Sequence, residues 1–234
     1  MNILIPMAGL GSRVHSSIIP KPLVPIHGEP MISLVVKHLG LNGHYIFVVQ
    51  RSHYDNHDMR SLLYEIAPGC NIIAIDGITE GAADTALLAK HLINNDRPLI
   101  ISDCDHIAYY DVDDFLAHIA CNDGCLLVHK NNHPKCSYCK LGSYGYVTEV
   151  REKEVISNLA NVGMYGFKRG SDFVHYALEM IRNNITYNNE HYIAPIYNLL
   201  IQDNKKITTL EANKVHLLGS KEWLDIYLSE EHND

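Results

Sequence analysis

The segment best equipped for phosphate chemistry is Ala8-Gly9-Leu10-Gly11-Ser12-Arg13, followed at short range by Pro20-Lys21-Pro22-Leu23. It comes directly after an apolar run, Asn2–Pro6, and a glycine loop after a buried strand lets main-chain N–H groups approach phosphate oxygens closely. Glycines alone also make ordinary turns. Here one arginine and one lysine share the loop, and two prolines fix the lysine's backbone. Such a loop could bring the amides of Ala8, Gly9, Gly11 and Ser12 close to phosphate oxygens, with Arg13 and Lys21 as nearby cations. The lysine does not follow the second glycine, so this is not a P-loop, and Val14 breaks a dinucleotide fingerprint. A second candidate is Ile101-Ser102-Asp103-Cys104-Asp105-His106, at the carboxyl end of a predicted strand. Residues two apart on a strand point the same way, so Asp103 and Asp105 can face one cation. Magnesium favours one or two carboxylates together with substrate phosphates. A third pattern, His129, His133, Cys136 and Cys139, has spacing that could suit zinc. All four lie in one short segment that reads equally well as strand and loop, and we expect no zinc there.

The Gly-x-Gly-x-Arg loop and the following Pro-Lys-Pro resemble the N-terminal signature of the sugar-1-phosphate nucleotidylyltransferase family, and the resemblance covers nearly the whole chain. It implies the Rossmann-like nucleotide-diphosphosugar transferase fold and a metal-dependent enzyme. Loop amides would hold the NTP phosphates, and Arg13 and Lys21 would stabilise the transition state and the leaving pyrophosphate. Asp105 best matches the family's metal-binding aspartate, with Asp103 beside it and Mg2+ (or Mn2+) as the ion. Glu152-Lys153 through Gly163-Met164-Tyr165 looks like the family's acceptor stretch. By that match Glu152 accepts hydrogen bonds from the substrate, Lys153 holds its attacking phosphate, and Asn161 and Gly163 line the pocket. Glu190 is a weaker acceptor contact. Gly81 and Ala82 match the stretch beside the nucleobase. Counting back from Gly81 puts Asp76 where relatives that use uracil or thymine nucleotides often carry glutamine. A carboxylate only accepts hydrogen bonds, which suits the exocyclic amine of cytosine and slightly favours CTP; alternatively, Asp76 merely caps a turn before Gly77.

Two departures stand out. The family's second metal-binding aspartate falls at Leu217, and Ser137-Tyr138 occupies the place of a frequent Tyr-Gly pair. The nearest resemblance is to members acting in capsule or surface-polysaccharide biosynthesis, some of them cytidylyltransferases. The expected activity is transfer of a nucleoside monophosphate from an NTP to a small phosphorylated substrate, either a sugar 1-phosphate or a non-sugar phosphate. Two alternatives remain. One is a glycosyltransferase of the same fold using Asp103-x-Asp105; the other is a non-catalytic nucleotide-binding regulator.

The elements that must position these residues are legible as alternating strands and helices. Strands are expected at 2–6, 45–49, 71–75, 98–102 and 124–129, and helices at 31–39, 58–66, 83–93 and 111–120. This pattern predicts an α/β fold with a doubly wound, mostly parallel sheet. Beyond about residue 130 come strands at 146–150 and 161–167, helices at 171–181 and 194–202, and strands near 206–210 and 215–218. A last helix is capped by Ser220. We expect one domain, with a nucleotide-binding half (1–130) and a half (131–234) that carries a small acceptor-binding β subregion.

With 27 acidic against 19 basic side chains, a net charge of −8 leaves no basic surplus for nucleic acid. No apolar run approaches a membrane span, and the scattered cysteines and N-terminus without signal-peptide character suggest a reducing, cytoplasmic setting. The expected partners are therefore the NTP and the small phosphate. Nucleic acid and membrane are not expected; a homo-oligomer is left open.

Overall fold

The computed structural model describes residues 1–9 and 19–230. Its strands are β1 (Asn2–Pro6), β2 (Pro25–Ile26), β3 (Glu29–Pro30), β4 (His44–Gln50), β5 (Asn71–Ile75), β6 (Leu99–Ser102), β7 (His106–Tyr109), β8 (Gly124–Lys130), β9 (Tyr138–Leu141), β10 (Val147–Arg151), β11 (Leu159–Phe167), β12 (Ile207–Glu211) and β13 (Lys214–Leu217). The helices are α1 (Met31–Leu39), α2 (Arg51–Asn56), α3 (Met59–Ile66), α4 (Ala82–Leu87), α5 (Lys90–Ile93), α6 (Val112–Cys121), α7 (Gly170–Arg182), α8 (Ile196–Gln202) and α9 (Lys221–Glu230).

The main sheet runs β12-β8-β11-β6-β1-β4-β5, with the β9–β10 hairpin joined to the amino half of β11. Strands β6, β1, β4 and β5 are parallel neighbours. Strand β11 runs antiparallel to both β6 and β8, and β12 lies parallel to β8. The fifth strand of the predicted alternation, β8, is therefore separated from the other four by a strand of the second half. The two halves share one sheet.

Side-chain alternation explains why the strands form a middle layer. In β1, Ile3 and Ile5 enter one core with α1, α3 and α6, while Leu4 enters the other with α4, α7 and α8. Phe47 and Val49 oppose Ile46 and Val48 in the same way, as expected for a sheet covered on both faces. Local signals set several helix ends: Gly40 closes α1 at φ +61°, Asp111 accepts from the N–H of Asp114 (2.9 Å), and Ser220 accepts from that of Trp223 (3.4 Å).

The helix expected at 83–93 is two pieces. Thr85 bonds back to the Gly81 carbonyl, and Leu88 and Ala89 switch to i→i−3 bonds with Thr85 and Ala86, which tightens and breaks the helix. Strands β2, β3, β7 and β9 and helix α2 are additional to the expected elements. Among the described residues, no helix is long and apolar enough to cross a membrane.

Candidate active site

Adjacent parallel strands bring their carboxyl ends out together, so the loop after β1 and the Asp103–Asp105 turn after β6 open onto one edge of the sheet, where open α/β sheets bind ligands. A 3-10 turn (Lys21–Leu23) delivers Lys21 to the same place, and its ammonium donates to Oδ2 of Asp105. Main-chain bonds hold the turn from two sides. Asp103 N–H donates to the Gly163 carbonyl of β11, and Asp105 accepts from the N–H of Leu218 beyond β13, both at 2.8 Å. His106 opens β7, and its Nδ1 lies 3.2 Å from Asp105 Oδ1 and 3.7 Å from Asp103 Oδ2. Lys21, Asp105 and His106 are largely buried, with side chains 15–20% exposed.

Burial works against the charge on Lys21, but the neighbouring acidic groups, Asp105 foremost, together offset it and hold the ammonium above its usual pKa. Burial, then the charge of Asp105, pushes Asp103 well above the carboxylate range, while Lys21 opposes. Burial lowers His106 toward the neutral imidazole, against the pull of Asp105. The Cys104 thiol between the aspartates is pushed up to about 12, chiefly by burial, and stays protonated.

Donor chemistry and space both suit a divalent cation here. Asp103, Asp105 and His106 offer ligand atoms all within 4.8 Å of one another, and His106 Nδ1 is buried with no hydrogen bond. Two glycines keep the space open. A Cβ at Gly163 would lie 2.3 Å from Asp103 Oδ2, and one at Gly219 would lie 2.5 Å from Asp105 Oδ2. Leu217, where an acid was expected, packs against the small cluster of Cys136, Tyr138 and Ala160.

The residues expected to bind the acceptor gather on the neighbouring wall. Gly163 (φ +86°) sits within the register shift of β11 between Asn161 and Tyr165, a bulge that turns its carbonyl to Asp103. Asn161 is buried; its amide nitrogen donates to Ser137 Oγ (2.9 Å), while its Oδ1 lacks a partner. Lys153, at φ +53°, donates to the Tyr192 hydroxyl and lies over the rings of Tyr192 and Tyr187, 4.5 and 5.4 Å from their centroids. Glu152 is half-buried and pushed up to about 7, by burial first, with Lys153 opposing and Glu190 adding. Glu190 is exposed and closes a tight turn with Tyr187, whose two central residues, Asn188 and Asn189, take positive φ.

Among the nucleotide-loop residues, Ala8 is buried and Gly9 exposed; Gly11, Ser12 and Arg13 lie outside the described residues. The sequence reading missed Gln50, whose buried amide donates to the carbonyls of both Ala8 and Gly77 (each 2.6 Å) and so ties the β1 loop to the β5 loop. Gly81 has a packing reason: a Cβ there would lie 2.3 Å from the His191 carbonyl oxygen. Ala82 follows as the first residue of α4. Asp76 is 78% exposed, and both its oxygens lie 3.0 Å from Arg51 Nε. A second convergent group, Glu80, Asp84 and His191, holds a 2.9 Å bond between His191 Nδ1 and Asp84. Of the residues with the zinc-like spacing, Cys139 enters a main core, Cys136 the small cluster, His133 meets the Trp223 ring edge-on, and His129 Nε2 lies 3.4 Å from the amide nitrogen of Asn131. A groove of about 890 Å3 between α1 and α3 lies by the amino ends of β4 and β5 and includes none of these residues.

The sequence model of the nucleotidyl transferase family matches residues 4–226. The chain belongs to that family. The fold of this nucleotidyl transferase is also that of solved structures at low identity. A nucleoside-diphosphate-sugar pyrophosphorylase from Vibrio cholerae RC9 aligns at TM-score 0.83 and 23% identity, over 97% of this chain and 99% of that one. A UDP-glucose pyrophosphorylase complexed with UDP-glucose aligns at 0.80 and 18%, over 99% and 98%. A UTP-bound UGPase from Acinetobacter baumannii aligns at 0.75 and 16%, over 98% and 92%. No curated protein matches this nucleotidyl transferase.

Proposed function

We propose that the protein joins the nucleoside monophosphate of an NTP to a small phosphorylated acceptor and releases pyrophosphate. The observation that carries this reading is the convergence of Lys21, Asp103, Asp105 and His106 at the carboxyl ends of β1 and β6, with Lys153 and Glu152 on the adjoining wall. Residues 1–130 then supply the nucleotide side and 131–234 the acceptor side. An oxygen of the acceptor phosphate attacks the α-phosphorus in line; the new P–O bond forms as the bond to the β-phosphate bridging oxygen breaks, and the electron pair leaves with pyrophosphate. Lys21 and Arg13 neutralise the leaving charge, Lys153 holds the acceptor phosphate, and Glu152 and Asn161 Oδ1 accept from its polar groups. A divalent cation, magnesium or manganese, held by Asp103 and Asp105 would neutralise phosphate oxygens when bound.

Structural relatives bound to UTP or UDP-glucose make uridine nucleotides natural test substrates. The carboxylate at position 76 supports CTP, provided Arg51 turns aside from it. The test is a matrix of four NTPs against sugar 1-phosphates and non-sugar phosphates, read as pyrophosphate. Release that requires one particular pair supports the reading, and a CTP rate above the UTP rate supports the role of Asp76. Release of nucleoside diphosphate from a nucleotide sugar would favour the glycosyltransferase instead, and nucleotide binding without turnover would favour a regulator.

A further inference from the structure

We infer that His106 is a direct ligand of the cation in this site, making it an Asp103–Asp105–His106 centre of mixed oxygen and nitrogen donors that favours transition-metal ions over magnesium. The inference rests on reading this cluster as the metal site of nucleotidyl transfer. Three observations on the chain carry it. His106 Nδ1 is buried and makes no hydrogen bond, although two carboxylate oxygens stand 3.2 and 3.7 Å away. Ligands at about 2.1 Å on octahedral axes are about 3.0 Å apart when adjacent and about 4.2 Å when opposite. Both separations from Nδ1 fall between these limits, so the imidazole can share an ion with either carboxylate, and the three ligand atoms all lie within 4.8 Å of one another. Second, Gly163 is held at φ +86°, and a Cβ there would lie 2.9 Å from His106 Nδ1 as well as 2.3 Å from Asp103 Oδ2. The bulge in β11 therefore keeps open the space between the imidazole and the carboxylate. Third, the residue paired with His106 across the β7–β13 ladder is Leu217. Directly paired residues project from the same face, so on that side the imidazole supplies a donor where its neighbour has none.

Asp105 divides its oxygens between two tasks: Oδ2 receives Lys21 and Oδ1 faces His106. The ammonium can then remain in place while the ion sits on the imidazole side. Imidazole binds later first-row ions more strongly than it binds magnesium, which favours carboxylate and water oxygens.

The test is calorimetric titration of the full chain with Co2+ and with Mg2+, with the visible spectrum of bound Co2+ recorded in parallel. Wild type, His106→Ala and His106→Asp are compared after thermal unfolding shows each to be folded. The expected result for His106→Ala is a Co2+ affinity at least about 10-fold weaker and a Mg2+ affinity changed by less than about 3-fold. His106→Asp should narrow the preference for Co2+ over Mg2+, and both variants should alter the Co2+ spectrum. An unchanged Co2+ affinity and spectrum in His106→Ala, or equal losses for both ions, would overturn the ligand assignment. So would failure of the folded wild type to bind either ion with NTP present. The transferase reading fails separately: absence of pyrophosphate release from every NTP, with His106-dependent Co2+ binding intact, removes the activity and leaves the metal centre standing.

Discussion

Replacing Gly163 with alanine should separate the site's geometry from the fold that carries it. The added Cβ would stand 2.3 Å from Asp103 Oδ2 and 2.9 Å from both Asp103 Cγ and His106 Nδ1. Non-bonded carbon contacts are comfortable at about 3.5 Å or more, so the Asp103 carboxylate must retreat by about 1 Å. A displacement of that size at a reacting centre costs about 100-fold in rate. The backbone at φ +86° adds a strain of about 1–2 kcal/mol for a residue with a side chain, equivalent to about 2–8 °C in Tm for a chain of this length. Gly145 provides the control, because it has φ +79° but nothing within 4 Å of an added Cβ. Gly145→Ala should lower Tm by a similar amount and leave turnover unchanged. Both variants are measured by thermal unfolding and steady-state pyrophosphate release. Turnover of Gly163→Ala within threefold of wild type would refute the reasoning, because the Asp103 position would then be immaterial.

Lys21→Ala should lower turnover by about 100-fold or more, since in the proposed mechanism it removes a preorganised donor from the leaving group, and it also removes the partner of Asp105; pyrophosphate release near the normal rate would move the phosphate site elsewhere. Asp105→Asn should damage activity more than Asp103→Asn, because Asp105 also anchors Lys21; rates measured over a range of Mg2+ and Mn2+ concentrations check the order. Glu152 gives a stability prediction with a definite sign. Its folded pKa of about 7 lies above the ordinary 4.5, so the folded state binds the proton more tightly and stability falls as pH rises through that window, levelling off above it. The Tm of wild type should therefore fall relative to Glu152→Gln between about pH 4.5 and 7, and parallel curves would contradict the assignment.

Apolar runs made much of this fold legible. Strands β1 and β5 and helix α1 coincide with their predicted spans because each couples a clear period to a sharp stop: Pro6 ends one, and Gly40 another. The place of β11 was not legible. Eight of its nine residues are buried like those of a parallel strand, and only long-range pairing puts it antiparallel between β6 and β8. Strand β7 was missed because the chemistry of Asp103 to His106 runs straight into it, leaving four residues of strand without turn signals. In the site, Asp103 and Asp105 were expected to share a face by period-two strand spacing, but β6 ends at Ser102, and it is a turn that brings them together with His106. The Lys153 contacts with Tyr187 and Tyr192 span more than 30 residues and leave no local signature. Asp76 was read from its own hydrogen-bonding chemistry, and its neighbour in space, Arg51, lies 25 positions away.

The central claim concerns which phosphorus is attacked, and labelled NTP tests that most directly. With a competent acceptor, label at the α-position should appear in the nucleotidylated product and label at the γ-position in pyrophosphate, in equal amounts, and both should vanish in Asp105→Asn. Label from the γ-position recovered as inorganic phosphate or on the acceptor would contradict the account, because the reaction would then occur at the far end of the triphosphate.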